Sequence, residues 1–442
     1  MASSLSRTPS GAGNQRTWTY SGWFKLCTTD QNIFLLSAGA YGDSKSMQLL
    51  IANSGNFLQF QGFSSGGSAD FNCETNAELR DTNAWYHIMV ACDTTQATAS
   101  DRAKIYINGE LQTLRTSTYP SQNYDTGVNT TIAHEINDRP GATLEQPLYA
   151  THVHMTDGTT YAPTVFGETD STSGIWKPKT APSVTYGNNG FFLKFENSGA
   201  MGTDSSGNSN TFTVNGTITQ AVDTPSNVFA VMNPLAMGTA SSGLTFSNGN
   251  LTSTNSSSGH RSVLSTLAVS TGKWYYEGKS VTTGGAYPTF GIFNIDAAFD
   301  AGTFFTSTAN GYGYNSNGHI YHNNGSLITG LSTWTDGDII GIALDATNDK
   351  LYISKNGSWQ NSGDPSNNTG GISITSDITW CFAAHLNDAG TNPVQNYNFG
   401  NGYFGTTAVA SANADANGFG AFEYAVPTGF YTLCTKNIKE FG

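Results

Sequence analysis

Two segments carry the residue mixture that holds a sugar. Tyr312-Gly-Tyr-Asn-Ser-Asn-Gly-His-Ile-Tyr-His322 and His385-Leu-Asn-Asp-Ala-Gly-Thr-Asn392 combine aromatic rings, amides, hydroxyls and imidazoles with turn-forming glycine. Saccharides are gripped by ring faces plus directional polar partners, commonly on loops at a sandwich edge. Reading both segments as loops makes Tyr312, Tyr314, His319, His322, Asn387 and Asp388 the candidate contact residues for a glycan or a neighbouring protein. Tyr41 to Asp43 and Asn137 to Arg139 form a smaller set of the same kind. The opposing expectation is that alternation buries half of the tyrosines in a core.

Metal chemistry has two starting points. His152 and His154 stand at i, i+2 of a predicted strand, which points both imidazoles to one face and places them within reach of one zinc ion. No third ligand accompanies them. Asp204 and Asn208 lie in a Gly-containing loop and offer oxygens suited to calcium, although an Asx turn uses the same residues. The expectation is no cofactor, with calcium as the one ion this loop could take.

Catalytic constellations are missing. Strand-borne glycosidases need two carboxylates on one face, at acid–base distance from the sugar. No E-x-D-x-E run occurs, and Glu135 and Asp138 read as solvated charges in a loop. There is no G-x-S-x-G elbow. Gly278-Lys-Ser280 ends like a phosphate loop, but Lys273 stands where the first glycine belongs. The expectation is a protein that is not an enzyme and does not hydrolyse surface polysaccharide.

The elements that must position these residues are strands. At 442 residues, the chain is sized for roughly two to four domains. Charged residues make up 12%, about half the usual share of ~25%, and strong helix formers are scarce. Aromatic residues at 12% are enough to fill more than one core, which excludes a disordered chain. The net charge of −13 excludes a general nucleic-acid binder, which needs a basic surface. No run of apolar residues is long enough to span a membrane, and residues 1–22 contain no secretory h-region. The five cysteines are odd in number and form no C-x-x-C, so they read as buried thiols.

One grammar occurs twice. Tyr86 to Cys92 is an apolar strand closed by Asp93; a Thr-containing turn follows, then Lys104-Ile-Tyr-Ile and Asn108-Gly109. Asp338 to Leu344 is closed by Asp345, and Leu351-Tyr-Ile leads to Asn356-Gly357. Asn-Gly between strands is the strongest short hairpin signal. The expected organisation is all-β: a sandwich over 1–215, a linker with short strands over 216–259, a second sandwich over 260–404, and a C-terminal strand extension over 405–442.

These motifs also resemble known families. Trp85-Tyr-His-Ile-Met-Val with Lys104-Ile-Tyr-Ile-Asn-Gly109 resembles laminin-G-like, concanavalin A-type sandwiches. Gly272-Lys-Trp-Tyr-Tyr-Glu277, Gly311-Tyr-Gly-Tyr314, Gly337-Asp-Ile-Ile-Gly341 and Leu351 through Gly357 resemble a SPRY domain. Leu5 to Asn14, Ser121 to Asp125, Phe166 to Asp170, Ile175 to Lys179, Asp223 to Asn227 and Asn233-Pro-Leu235 are similar to a family of bacteriophage virion proteins that join both sandwiches. The resemblance implies a virion structural protein on the particle exterior. A tail fibre or spike touching host surface glycans leads; a capsid decoration or head-fibre protein is the alternative, and a glycan-degrading enzyme comes third. It implies other virion proteins as partners and a homo-oligomer, a trimer by the usual cyclic closure of fibres. It implies no nucleic acid and no membrane insertion. The first predicted strand begins near Trp18 and no heptads are visible, so attachment through a sandwich face or a chain end is expected. One segment departs from related chains: Gln146-Pro-Leu-Tyr-Ala-Thr-His-Val-His-Met155 replaces a Gly-x-Leu-x-Glu-Val-like strand, so the face carrying His152 and His154 is expected to serve a different contact.

Overall fold

In both repeats of that grammar, the hairpin asparagine brackets the strand before it. Asn108 donates its N–H to the carbonyl of His87 and accepts the N–H of His87 on its side-chain oxygen, both at 2.8 Å. Asn356 does the same to Ile339, again at 2.8 Å in both directions. Both asparagines hold positive φ, 50° and 47°, as the tight turn requires. The pairings Trp85–Asp93 with Ala103–Ile107 and Ile339–Asp345 with Lys350–Lys355 are the same supersecondary unit in two settings.

The computed structural model describes residues 3–171, 174–236, 242–282 and 287–442. It is all-β: two β-sandwiches of antiparallel sheets, with one α-helix among the described residues, Thr435–Phe441. The chain divides into two compact units, Met1–Gln220 and Ala221–Gly442. No described helix is long and apolar enough to cross a membrane. All five cysteines are buried.

The first unit is built on two large sheets, with a small two-stranded one, Gly167–Thr169 with Trp176–Pro178, beside them. The eight-stranded one runs Leu114–Thr118, Ala69–Glu78, Phe57–Phe63, Ser46–Ile51, Ile33–Ala38, His134–Ile136, Ser4–Arg7, Thr213–Asn215. The six-stranded one runs Phe191–Leu193, Leu148–Asp157, Thr17–Leu26, Trp85–Asp93, Ala103–Ile107, Glu110–Leu111. Alternation sends Leu49, Phe60 and Phe71 from one sheet, and Tyr20, Ile88 and Val90 from the other, into a common core. The outer face of the six-stranded sheet is sealed by the chain between 159 and 192. There the Trp176 ring N–H donates to His87 Nδ1 at 3.0 Å, which leaves His87 Nε2–H to donate to Ser21 Oγ at 2.8 Å. His154 stacks on Phe192 at 3.9 Å and meets the Tyr186 hydroxyl at 2.9 Å.

The second unit draws on more of the chain than the 260–404 block. Leu244–Ser247 and Thr252–Asn255, from the segment read as linker, form a hairpin at one edge of its larger sheet. Tyr431–Thr432 adds in parallel to Lys273–Thr282, and the residues after it turn helical. The terminal aromatics pack inward: Phe422 lies 5.0 Å from Tyr275, and Tyr431 stacks on Phe441 at 3.8 Å. The second sheet runs Gly259–Val269, Trp380–Asp388, Thr289–Asn294, Gly311–Asn315, Ile320–His322, Gly325–Ile328. Residues 295–310 lie across its outer face, and Phe305 fills the space above Gly311 and Gly313.

Candidate functional site

The loop reading of residues 312–322 holds for the turn at 316–319, which carries His319, and is corrected for the rest. Tyr312 and Tyr314 lie on the strand Gly311–Asn315 and point into the core, 4% and 0% exposed. The glycines that suggested a loop have another cause. A Cβ on Gly313 would stand 2.5 Å from a Thr289 methyl and 2.8 Å from the Phe305 ring, so glycine here makes room for the segment covering the sheet. The Tyr314 hydroxyl donates to the Ser332 carbonyl, and the Tyr312 hydroxyl meets Thr375 Oγ1 at 3.1 Å. His322 stacks on Tyr312 at 3.9 Å and donates from Nδ1 to the Gly311 carbonyl.

Asn387 and Asp388 end the strand Trp380–Asp388 and are not free loop residues. Asp388 Oδ1 accepts the N–H groups of Gly390, Thr391 and Asn392 at 2.8–3.0 Å. Those donors, Thr391 foremost, hold its carboxyl below the usual range. It shapes a turn. The six predicted residues therefore do not form one surface.

One of them, His319, does join a half-exposed strip. The ring of Tyr321 lies 5.9 Å from His319 and 6.1 Å from Phe304; Phe304 lies 4.5 Å from His385 and 6.2 Å from exposed His260. Asn317 donates to the Tyr321 hydroxyl at 3.0 Å, and Ser326 meets His319 Nδ1 at 3.4 Å. Cross-strand register builds this strip: His260 faces Asn387, and Ser262 faces His385.

The strip is anchored by a chain of hydrogen bonds with one proton order. Ser262 donates to the Thr303 carbonyl at 2.7 Å, so it accepts from His385 Nδ1–H at 2.9 Å. His385 Nε2 must then accept from His260 Nδ1–H at 3.0 Å. Burial, with His260 alongside, keeps His385 neutral and well below the usual imidazole range. His260, Phe304 and Tyr321 were not among the residues picked out from sequence. Their signal was period-2 alternation in Gly259–Val269 and Ile320–His322, which only register converts into neighbours.

These placements separate core from surface by experiment. Tyr314→Ala will lose about 3–5 kcal/mol of stability, the usual cost of emptying a buried aromatic site. Tyr321→Ala, on the half-exposed strip, will shift the thermal midpoint of the second unit far less. Equal shifts for the two variants would refute the assignment.

In the first unit, His152 sits at a register shift with φ 48°, while His154 is buried with its ring among Phe166, Tyr186 and Phe192. Burial drives the His154 pKa well below normal. Asp204 accepts the N–H groups of Phe192, Ser206 and Asn210 and the Ser206 hydroxyl, at 2.8–2.9 Å. Asn208 donates its amide to the carbonyls of Gly187 and Gly190. The Asp204 carboxylate on which calcium was to draw is engaged by the loop itself. Among the described residues no three His, Cys, Asp or Glu side chains are grouped to hold a metal ion.

Glu135 and Asp138 are also corrected. Glu135 lies on the strand His134–Ile136, inside the eight-stranded sheet, and Asp138 is buried. Asp138 Oδ1 accepts the N–H groups of Arg139 and Leu144, so this carboxylate holds a loop. Burial, then Asp138 and Glu145, push the Glu135 carboxyl up to about 7.

Comparison with known proteins identifies two domains. Residues 3–142 match the concanavalin A-like lectin/glucanases superfamily, and residues 273–365 match the SPRY domain. Both point to a carbohydrate- or protein-binding role. No curated protein matches the chain. Among solved structures, the SPRY domain of human HERC1 is 18% identical, with a TM-score of 0.30 over 38% of this chain and 96% of that one. The TRIM65 PSpry domain is 10% identical, with a TM-score of 0.30 over 38% of this chain and 88% of that one. Stonustoxin is 14% identical, with a TM-score of 0.29 over 38% of this chain and 27% of that one.

Proposed function

We propose that this protein is a non-enzymatic binding protein on the exterior of a bacteriophage particle, a tail fibre or spike that touches host surface glycan. The observation that carries the binding role is the strip of His260, Phe304, Tyr321 and His319: exposed or half-exposed rings, three of the four with a polar edge, held in place from below by His385 and Ser262. Such rings lose little entropy on binding and offer both a stacking face and a hydrogen bond. The virion setting rests on the sequence resemblance described above. The non-enzymatic reading is supported by Asp138, which is buried and accepts two backbone N–H groups on Oδ1, the arrangement of a carboxylate that holds a loop. The protein takes no cofactor, and it acts on the particle as a homo-oligomer, a trimer, beside other tail or capsid proteins.

The test is the pair His260→Ala and Tyr321→Ala in assembled particles. Host adsorption should fall at least about tenfold, equivalent to about 1.4 kcal/mol, with particle incorporation unchanged. Normal adsorption with failed incorporation would turn the reading to a capsid or tail packing surface. Normal values for both would remove the strip from the proposal.

A further inference from the structure

Nine asparagines in the chain are followed directly by glycine. Such a pair is self-reactive, because glycine has no Cβ to keep its backbone nitrogen away from the carboxamide carbon before it. Whether it reacts in a folded chain depends on whether that carboxamide is free to turn.

In eight of the nine pairs the side chain is engaged. Asn108 and Asn356, both exposed at hairpin turns, hold a strand N–H on Oδ1 at 2.8 Å. Asn356 also donates Nδ2 to Asp338 at 2.6 Å. Asn248 donates to Thr252 and Asn417 to Asn437, each at 3.0 Å. Turning any of these carboxamides onto the next nitrogen breaks a bond.

Asn324 differs. Its side chain is exposed and, among the described residues, its carboxamide meets no hydrogen-bond partner. With Asn323 it makes the two-residue turn between Ile320–His322 and Gly325–Ile328, at φ 59° and 49°. The main chain of the turn is tied down: the N–H groups of Asn323 and Asn324 donate to the carbonyls of Thr308 and Thr306, at 3.1 and 3.0 Å. The residues after it are not. Gly325–Ile328 is the last strand of its sheet, and Gly325, Ser326 and Leu327 are all exposed. An edge of this kind opens at little cost, which frees the Gly325 nitrogen.

We propose that Asn324 is a site of spontaneous covalent modification, converting to aspartate and isoaspartate ahead of the other asparagine–glycine pairs. The Gly325 nitrogen bonds to Asn324 Cγ, the Cγ–Nδ2 bond breaks, and the nitrogen's proton leaves with the amide as ammonia. The product is a five-membered succinimide. Water then adds at either carbonyl. Opening at the side-chain carbonyl gives aspartate; opening at the main-chain carbonyl leaves the chain running through Cγ, one methylene longer, as isoaspartate.

A two-residue turn has no room for that extra atom. Tyr321 pairs with Ser326 across this hairpin, and Ser326 meets His319 Nδ1 at 3.4 Å. Isoaspartate at 324 therefore moves Tyr321 and His319 away from their setting beside Phe304. The effect on binding rests on the proposed reading of the strip as the contact surface; the modification itself does not.

Peptide mapping of the full chain aged at about pH 8 tests the site. Aspartate and isoaspartate at 324 should accumulate at least about tenfold faster than at 108 or 356, a ratio equal to about 1.4 kcal/mol in barrier. In denaturant the three rates should converge, since the reactive pair is the same. Comparable rates in the folded chain, or a ratio that survives denaturation, would overturn the proposal. Aged particles should lose host adsorption in step with conversion, and Asn324→Gln particles, whose larger ring closes far more slowly, should keep it. Equal loss in both would overturn the link to the strip. If His260→Ala with Tyr321→Ala leaves adsorption normal while 324 still converts, the proposed function fails and the modification site stands.

Discussion

Acidification from pH 6.5 toward pH 4.5 will unfold the first unit while the second holds. Burial is the main cause in the three histidines responsible. His87 is pushed down to about 3, His134 to about 4, and His154 well below its ordinary value. Each is neutral in the folded chain in this window, whereas an unfolded histidine takes a proton near 6.5. The unfolded state therefore binds more protons, and stability falls with pH by about 1.4 kcal/mol per unit for each such group. Glu135 works in the opposite sense. Its folded pKa is raised to about 7, so between 7 and 4.5 the folded chain holds the extra proton and gains stability on acidification.

His152, also lowered chiefly by burial, acts in the same direction; the three strongly shifted histidines against Glu135 alone leave a net loss of about 3 kcal/mol per pH unit or more in the first unit. In the second unit His385, well below normal, is offset by Glu277, which burial raises to about 7. Differential scanning calorimetry at pH 7, 5.5 and 4.5 should show one transition falling by about 6–12 °C per pH unit, given about 2–4 °C per kcal/mol for a unit of this size. Tyr314→Ala marks the other transition. Two transitions that fall together, or a first unit that melts unchanged at pH 4.5, would sink the prediction.

The same residues show what the sequence makes legible. The two sandwiches follow from alternation, Asn-Gly turns and scarce helix formers, because those signals are local. The hairpin asparagines were visible as turns; that each also caps the strand behind it was not, since that bond depends on register. Gly311-Tyr-Gly-Tyr314 misled for a physical reason: glycine serves both loops and strands that another segment must cross closely, and the chain alone does not distinguish Phe305 above Gly313 from solvent. Glu135 misled likewise. A three-residue strand that carries one charge, with Asp138 just beyond it, reads as a loop, until Ser6 and Ser37 supply its neighbours. The sites depended on pairs far apart in sequence, such as Ser262 with His385 or His260 with Phe304, and no period in the chain encodes those distances.

Glu277 should be the most destabilising single polar replacement in the second unit. It lies on the strand Lys273–Thr282, and its side chain is fully buried. Oε1 accepts from the Tyr275 hydroxyl at 3.1 Å and the Tyr424 N–H at 2.9 Å. Oε2 accepts from Asn398 Nδ2 at 3.2 Å and the Glu423 N–H at 2.9 Å. Four donors converge on it, so burial lifts this carboxyl to about 7 while the hydrogen bonds pull the other way. The carboxyl thereby ties residues 423–424 to the sheet beside Phe422, which packs on Tyr275. Glu277→Ala strands all four donors and should cost about 3–5 kcal/mol, as removal of one partner from a buried network does. That is a fall of about 6–20 °C in the second-unit midpoint. Glu277→Gln should lie between. The Tyr275 hydroxyl can turn to accept from the new amide, but one backbone N–H cannot and is left unpaired at about 1–3 kcal/mol. Hydrogen exchange at Glu423 and Tyr424 should accelerate in both variants, more in Ala, while the first-unit transition stays in place. If the Ala variant melts like the parent, the carboxyl does not hold the C-terminal segment to the sheet.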